Sequence, residues 1–133
     1  MALHRMKGMI MAEWDGTDLA QVGSTEELDL SSERADGTLR DAVTMWVVRA
    51  GDHLYVRSVK GTSGPWYRGA QSRRQGRIQA GGLERDVAFR EAAPEEHAAV
   101  DAAYRTKYGR YTSIVDHVLT DQARASTLRL EPR

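Results

Sequence analysis

Apolar and polar residues alternate with a period of two over several short stretches, the pattern of strands that bury one face. Leu28 and Leu30 mark the first, from Glu27 to Arg34. Asp36-Gly37 then offers the pair favoured in type I′ hairpin turns, and the next strand is predicted from Leu39 to Arg49. Its centre, Val43 to Val48, is almost continuously apolar, which predicts a strand buried on both faces with Trp46 in the core. After a turn at Ala50-Gly51-Asp52, a third strand covers His53 to Ser58 with Leu54 and Val56 on one face, so the three form a meander. Arg77 to Ala80 and Leu83 to Glu91 make a further hairpin across Gly81-Gly82, with Val87 and Phe89 inward. Thr127 to Leu130 supplies a last strand.

Between these stretches the apolar spacing lengthens to three and four residues. A short helix is predicted from Thr17 to Val22, capped by Asp15 or Thr17 and packing Leu19 and Val22 on a sheet. Pro65 opens a helix from Trp66 to about Gln75, and Gly76 is placed to end it. Pro94 opens the longest helix, with Val100, Tyr104, Tyr108 and Tyr111 on one face and Asp101 spaced to pair with Arg105. Ile114 to Ala125 forms another, broken near Thr120. The order predicts an α+β fold of mainly antiparallel strands with flanking helices, in one domain over residues 15–133. Residues 1–14, with four methionines and short apolar runs, read as a poorly ordered leader without function.

Composition narrows the function classes. At 133 residues the chain can close a core without staples, and its 19 basic residues balance 19 acidic ones. That balance disfavours a nucleic-acid partner, although Arg68, Arg73, Arg74 and Arg77 form a local basic cluster that also fits a solvated helical face. No cysteine is present, which fits a cytoplasmic location, and no apolar run is long enough for a membrane span. The four histidines lack metal-ligand spacing, so no metal site is expected, and Ser58 and Ser63 lack a nucleophile elbow. Catalytic residues are not identifiable.

The stretch Arg57-Ser-Val-Lys-Gly-Thr-Ser-Gly-Pro-Trp-Tyr-Arg68 gathers cations, hydroxyls, flexible glycines and a helix start. Such a set can hold an anion by charge-assisted bonds and backbone N–H groups while an aromatic ring stacks on a planar ligand. It equally fits a solvated strand-to-helix loop whose aromatics plug the core. The tyrosines at 104, 108 and 111 fit a packed stripe better than a pocket lining.

The element order resembles a bacterial family of uncharacterised function. The resemblance is carried by Asp36-Gly-Thr-Leu-Arg40, Trp46-Val-Val-Arg49, Leu54-Tyr-Val-Arg-Ser58, Trp66-Tyr-Arg68, Gly76-Arg-Ile78, Asp101-Ala-Ala-Tyr-Arg-Thr-Lys-Tyr-Gly109 and Thr127-Leu-Arg-Leu130. That family is in turn similar to the deazaflavin-dependent nitroreductases among the flavin-binding split barrels. The resemblance implies a split β-barrel of about six strands and a planar anionic ligand, FMN or a deazaflavin coenzyme. It also implies cofactor contacts at Arg57, Ser58, Lys60, Gly61, Trp66 and Tyr67. In that reading Arg57 and Lys60 pair with anionic groups, Ser58 and Gly61 supply hydrogen bonds, and Trp66 or Tyr67 shapes the ring site of a hydride-transferring oxidoreductase. Asp36 stands where the nitroreductases place glycine, basic and hydroxyl residues for the cofactor phosphate. A second reading follows: a module without cofactor or catalysis that binds another ligand or forms a homodimer.

Overall fold

The computed structural model describes residues 13–133. Six strands, β1 (Glu27–Ser32), β2 (Val43–Ala50), β3 (His53–Val56), β4 (Gln75–Ala80), β5 (Leu83–Glu91) and β6 (Leu128–Pro132), close an antiparallel barrel in the order β1-β2-β3-β6-β5-β4. β4 returns to pair with β1, so no strand is left as an edge. The flanking helices are α1 (Gly16–Ser24), α2 (Pro65–Arg73), α3 (His97–Tyr108), α4 (Thr112–Val118) and α5 (Asp121–Ala125). The α+β split barrel is therefore observed.

Strand alternation produces two cores. Leu28, Leu30, Val47, Leu54, Val56, Ile78, Val87, Phe89 and Leu130 fill the barrel, with Leu19 and Val22 of α1 packed into the same cluster. Val48 and Tyr55 point outward instead and pack under α3 against Val100, Tyr104 and Tyr108. Each fully buried aliphatic side chain contributes roughly 1.5–3 kcal/mol. The tyrosines add polar latches. Tyr104 Oη donates to Trp46 O (3.0 Å) and Tyr108 Oη to Val47 O (2.8 Å), while Lys107 Nζ donates to Val47 O (2.7 Å) and Thr25 O. The helix is thereby bonded to backbone carbonyls along β2 as well as packed on it.

Several elements depart from the sequence pattern for identifiable reasons. Gly37 has φ +89° but Asp36 is not in the positive-φ region, so the turn is not type I′. Asp36 Oδ1 closes it by accepting from Thr38 N and Thr38 Oγ1. The second strand starts at Val43 rather than Leu39; Leu39 keeps an isolated bridge to Glu33, and the Arg40 side chain donates to Glu33 O (2.7 Å) and Gly69 O (3.1 Å). It is buried on both faces only near Val47 and Val48; Val43 is 38% exposed and Trp46 half-buried. α2 ends on Arg74 in the left-handed region, not on Gly76. Gly76 lies in β4, where a Cβ would overlap the Ser31 carbonyl, so glycine there permits close strand approach. Trp14, assigned to the leader, is buried and donates from Nε1 to Leu130 O (2.8 Å); the leader's first twelve residues lie outside those described. Tyr111 falls beyond α3 and is 36% exposed. Gly81 and Gly82 both have positive φ, as their hairpin requires, and Thr120 caps α5 at the expected helix break.

Lys107 makes this packing sensitive to pH. Burial pushes its ammonium down from 10.5 to about 8, opposed by the nearby Glu26 carboxylate. The unfolded chain keeps its proton up to the ordinary value, so between these two pH values it binds more protons than the folded protein, and stability rises with pH there. Below that window Lys107 contributes no slope. Urea midpoints at about pH 7.5 and about pH 10 should therefore show the wild type gaining stability relative to Lys107→Met; parallel profiles would assign the dependence to other groups.

Candidate functional site

A groove of about 500 Å³ opens beside the barrel, between the start of β2, the segment after β3 and the start of α2. One part of its wall is apolar, from Val43, Met45, Trp46, Val59 and Trp66. The polar part comprises Glu27, Thr44, Arg57, Ser58 and Lys60, with Gly64 and Pro65 at the helix start. Four of the six sequence-predicted residues, Arg57, Ser58, Lys60 and Trp66, are thus brought to one groove. The other two are placed elsewhere. Gly61, at φ +67°, lets the chain pass against Gln122, where a Cβ would collide. Tyr67 packs into the barrel core, and its hydroxyl donates to Glu91 Oε1 (3.1 Å).

The segment after β3 is held by α5 and the residues following it. Ser58 N donates to Ser126 Oγ (2.8 Å), and Gly61 N donates back to Ser58 O (2.9 Å). Gly64 is the N-cap of α2, with Pro65 inside the first turn and no side chain capping its N–H groups. Ser58 is 2% exposed and sits so close to Gly64 that a side chain there would strike Ser58 Oγ. Among the described residues no hydrogen bond engages that hydroxyl. Ser58 therefore stands beside an uncapped helix amino-terminus on the groove wall.

Arg57 is fully buried, and its partners define its role. Nε donates to Thr127 Oγ1 (2.8 Å), and Nη1 to Asp101 Oδ1 (2.6 Å) and Val118 O (3.0 Å). The guanidinium lies 5.5 Å from the Tyr104 ring centroid. Asp101 does not pair with Arg105 as its spacing suggested; its second oxygen accepts from Arg124 Nε (2.9 Å), and Arg124 reaches on to Asp121 (2.9 Å). Arg57 Nη2 is buried without a partner among the described residues, as is His97 Nδ1. A buried donor left unmade costs about 1–3 kcal/mol.

Sequence reasoning missed Asp101, which meets Arg57 across 44 residues and Arg124 across 23, and missed Trp46, Val43 and Val59 as groove residues. Trp46 carried a signal: a tryptophan only three residues from a strand's exposed start has one face available to a pocket. The Asp36 turn contributes nothing to the groove wall. In the basic cluster, Arg73 pairs with Glu33 and Arg77 with Asp86, while Arg68 and Arg74 are exposed. Among the described residues no group of three His, Asp or Glu side chains is placed to hold a metal, and no helix is long and apolar enough to cross a membrane.

The closed six-strand barrel with its flanking helices makes this a split-barrel protein. More narrowly, the chain belongs to the family described as "uncharacterized protein conserved in bacteria" (DUF2255), which matches residues 18–130. No curated protein matches it. Solved structures share the fold. An "F420-H2 dependent reductase" superposes with a TM-score of 0.61 at 17% identity, covering 80% of this chain and 94% of that one. A haem storage protein from Vibrio cholerae gives 0.60 at 12%, covering 89% of each chain. An FAD-binding protein from Mesorhizobium loti gives 0.55 at 14%, covering 90% and 88%.

The buried pair beside the groove should dominate its stability. Asp101→Asn keeps the shape and removes the charge that Arg57 and Arg124 share, so urea unfolding should register a loss of about 3–5 kcal/mol. A loss below about 1 kcal/mol would mean that Arg57 finds compensation elsewhere.

Proposed function

We propose that this protein binds a flavin or deazaflavin ring in the groove and acts as a hydride-transferring oxidoreductase. The observation that carries the reading is a groove wall that sets Ser58 Oγ, which has no hydrogen bond among the described residues, and Lys60 beside Trp46 and Trp66. Ring carbonyls and ring nitrogens of such a cofactor are acceptors for these donors and for the free N–H groups that open α2. Trp46 and Trp66 offer aromatic faces to the ring, and Lys60 stands at the exposed rim. The bound cofactor would supply the redox chemistry; the protein supplies position and hydrogen bonding. The likeness to a reductase and an FAD-binding protein supports this choice over other planar ligands.

One observation favours the second reading, a non-catalytic module. Asp36 accepts from Thr38 N and Thr38 Oγ1 in the turn where the resemblance to the nitroreductases implies glycine, basic and hydroxyl residues for a phosphate, so an acid stands there instead. In that case Val43 and Val59, 38% and 41% exposed, would serve contact with a second copy of the chain; one solved structure sharing the fold is described as a domain-swapped dimer, with a TM-score of 0.60 at 17% identity.

Titration with FMN and with a deazaflavin, followed by ligand absorbance and tryptophan fluorescence, separates the two. Saturable binding at micromolar concentration is expected, and Ser58→Ala should weaken it by about 0.5–1.5 kcal/mol without lowering the melting temperature. Failure of both cofactors to bind would leave the non-catalytic module standing.

A further inference from the structure

We propose that the corner of the groove formed by Lys60, Ser58 and the start of α2 holds a phosphate group, so that the ring ligand is taken as its phosphate ester. The proposal rests on the ring binding proposed above and names the chemical class of ligand within it.

Three features of the chain meet at this corner. The first is a helix end with donors to spare. Pro65 has no N–H, Gly64 N donates to Gly61 O (3.1 Å) and Arg68 N to Gly64 O (3.0 Å), which leaves the N–H groups of Trp66 and Tyr67 without an acceptor among the described residues. α2 has nine residues, so its aligned peptide dipoles place a partial positive charge at this end. The second is Ser58, 2% exposed, whose hydroxyl makes no hydrogen bond among the described residues. It reaches the helix end: a Cβ on Gly64 would overlap Ser58 Oγ and meet Lys60 Cβ at 3.5 Å. Gly64 has φ −63° and ψ 139°, a conformation open to any residue, so what its missing side chain provides is room. The third is Lys60, exposed on the groove wall and without an ion-pair partner among the described residues.

Charge decides what these donors take. Hydroxyl and N–H groups serve a ring carbonyl as well as an anion, but an ammonium beside a helix amino-terminus favours the anion. Of the groove's other charged residues, Arg57 is held by Asp101 at 2.6 Å, and Glu27 lies on the wall without an ion pair to Lys60. A phosphomonoester carries about 1.5 to 2 negative charges and has several acceptor oxygens, enough for the hydroxyl, both N–H groups and the ammonium together. The acid at position 36 is no obstacle, because Asp36 accepts from Thr38 within a turn that forms no part of the groove wall.

Riboflavin and FMN differ only by the phosphate, so their dissociation constants for the full chain, read by flavin fluorescence, give one arm of the test. FMN should bind at least about tenfold more tightly at low salt. High salt or Lys60→Ala should cut that advantage below about threefold, and Lys60→Arg, which keeps the charge, should preserve it. Inorganic phosphate added to the protein without flavin gives the other arm: the amide resonances of Trp66 and Tyr67 should shift saturably, and much less in Lys60→Ala. Equal affinity for the two flavins would overturn the proposal while leaving ring binding in place; if phosphate still moved the two amides, the corner would serve an anion separate from the ring ligand. Amides unmoved by phosphate would overturn the corner itself, whether or not a flavin binds. Absence of saturable binding by either flavin would overturn ring binding, and the phosphate ester with it.

Discussion

The contact between Arg57 and Asp101 is the constraint on which the arrangement around the groove depends. A buried guanidinium must find a counter-charge and acceptors, or its desolvation cost exceeds what packing returns. Here it finds them on four elements at once: Asp101 on α3, Val118 at the end of α4, Thr127 before β6 and, through Asp101, Arg124 on α5. These bonds decide where the outer helical layer sits on the barrel. They also fix the guanidinium so that one nitrogen has no partner. One side chain thus ties the helical layer to the barrel by its charge and its hydrogen bonds.

The barrel itself needs no such device. Inward and outward residues on β2, β3, β5 and β6 feed two separate cores, so one strand pattern supports both the closed sheet and the helices outside it. The latches from Tyr104, Lys107 and Tyr108 to backbone carbonyls bind α3 along β2, directly behind the half-buried Trp46. The groove opens where β2 begins, at Val43 and Thr44, both exposed.

Much of this was legible in the chain. Alternation at Leu54/Val56 and Val87/Phe89 marks barrel positions, and Gly81-Gly82 marks a turn whose two positive φ angles only glycine adopts easily. Long-range interactions escaped. Local spacing pairs Asp101 with Arg105, whereas its actual partner is 44 residues away. The irregular Leu39–Ala42 stretch depends on Arg40 reaching carbonyls that only the folded chain brings near. Gly76 resembles a helix stop in sequence and serves instead to let two strands meet, a distinction set by a neighbour in β1. For the candidate site, Arg57, Ser58, Lys60 and Trp66, close in sequence, line one groove, whereas Tyr67 and Gly61 face Glu91 and Gln122, far along the chain.

A crystal structure with bound FMN or a deazaflavin tests the proposed binding most directly. The ring is expected against Trp46 and Trp66 with an acceptor within about 3.2 Å of Ser58 Oγ, and with the bond from Arg57 to Asp101 intact. A ligand bound away from Trp46 and Trp66, or an Arg57 that has left Asp101 to meet it, would contradict the account.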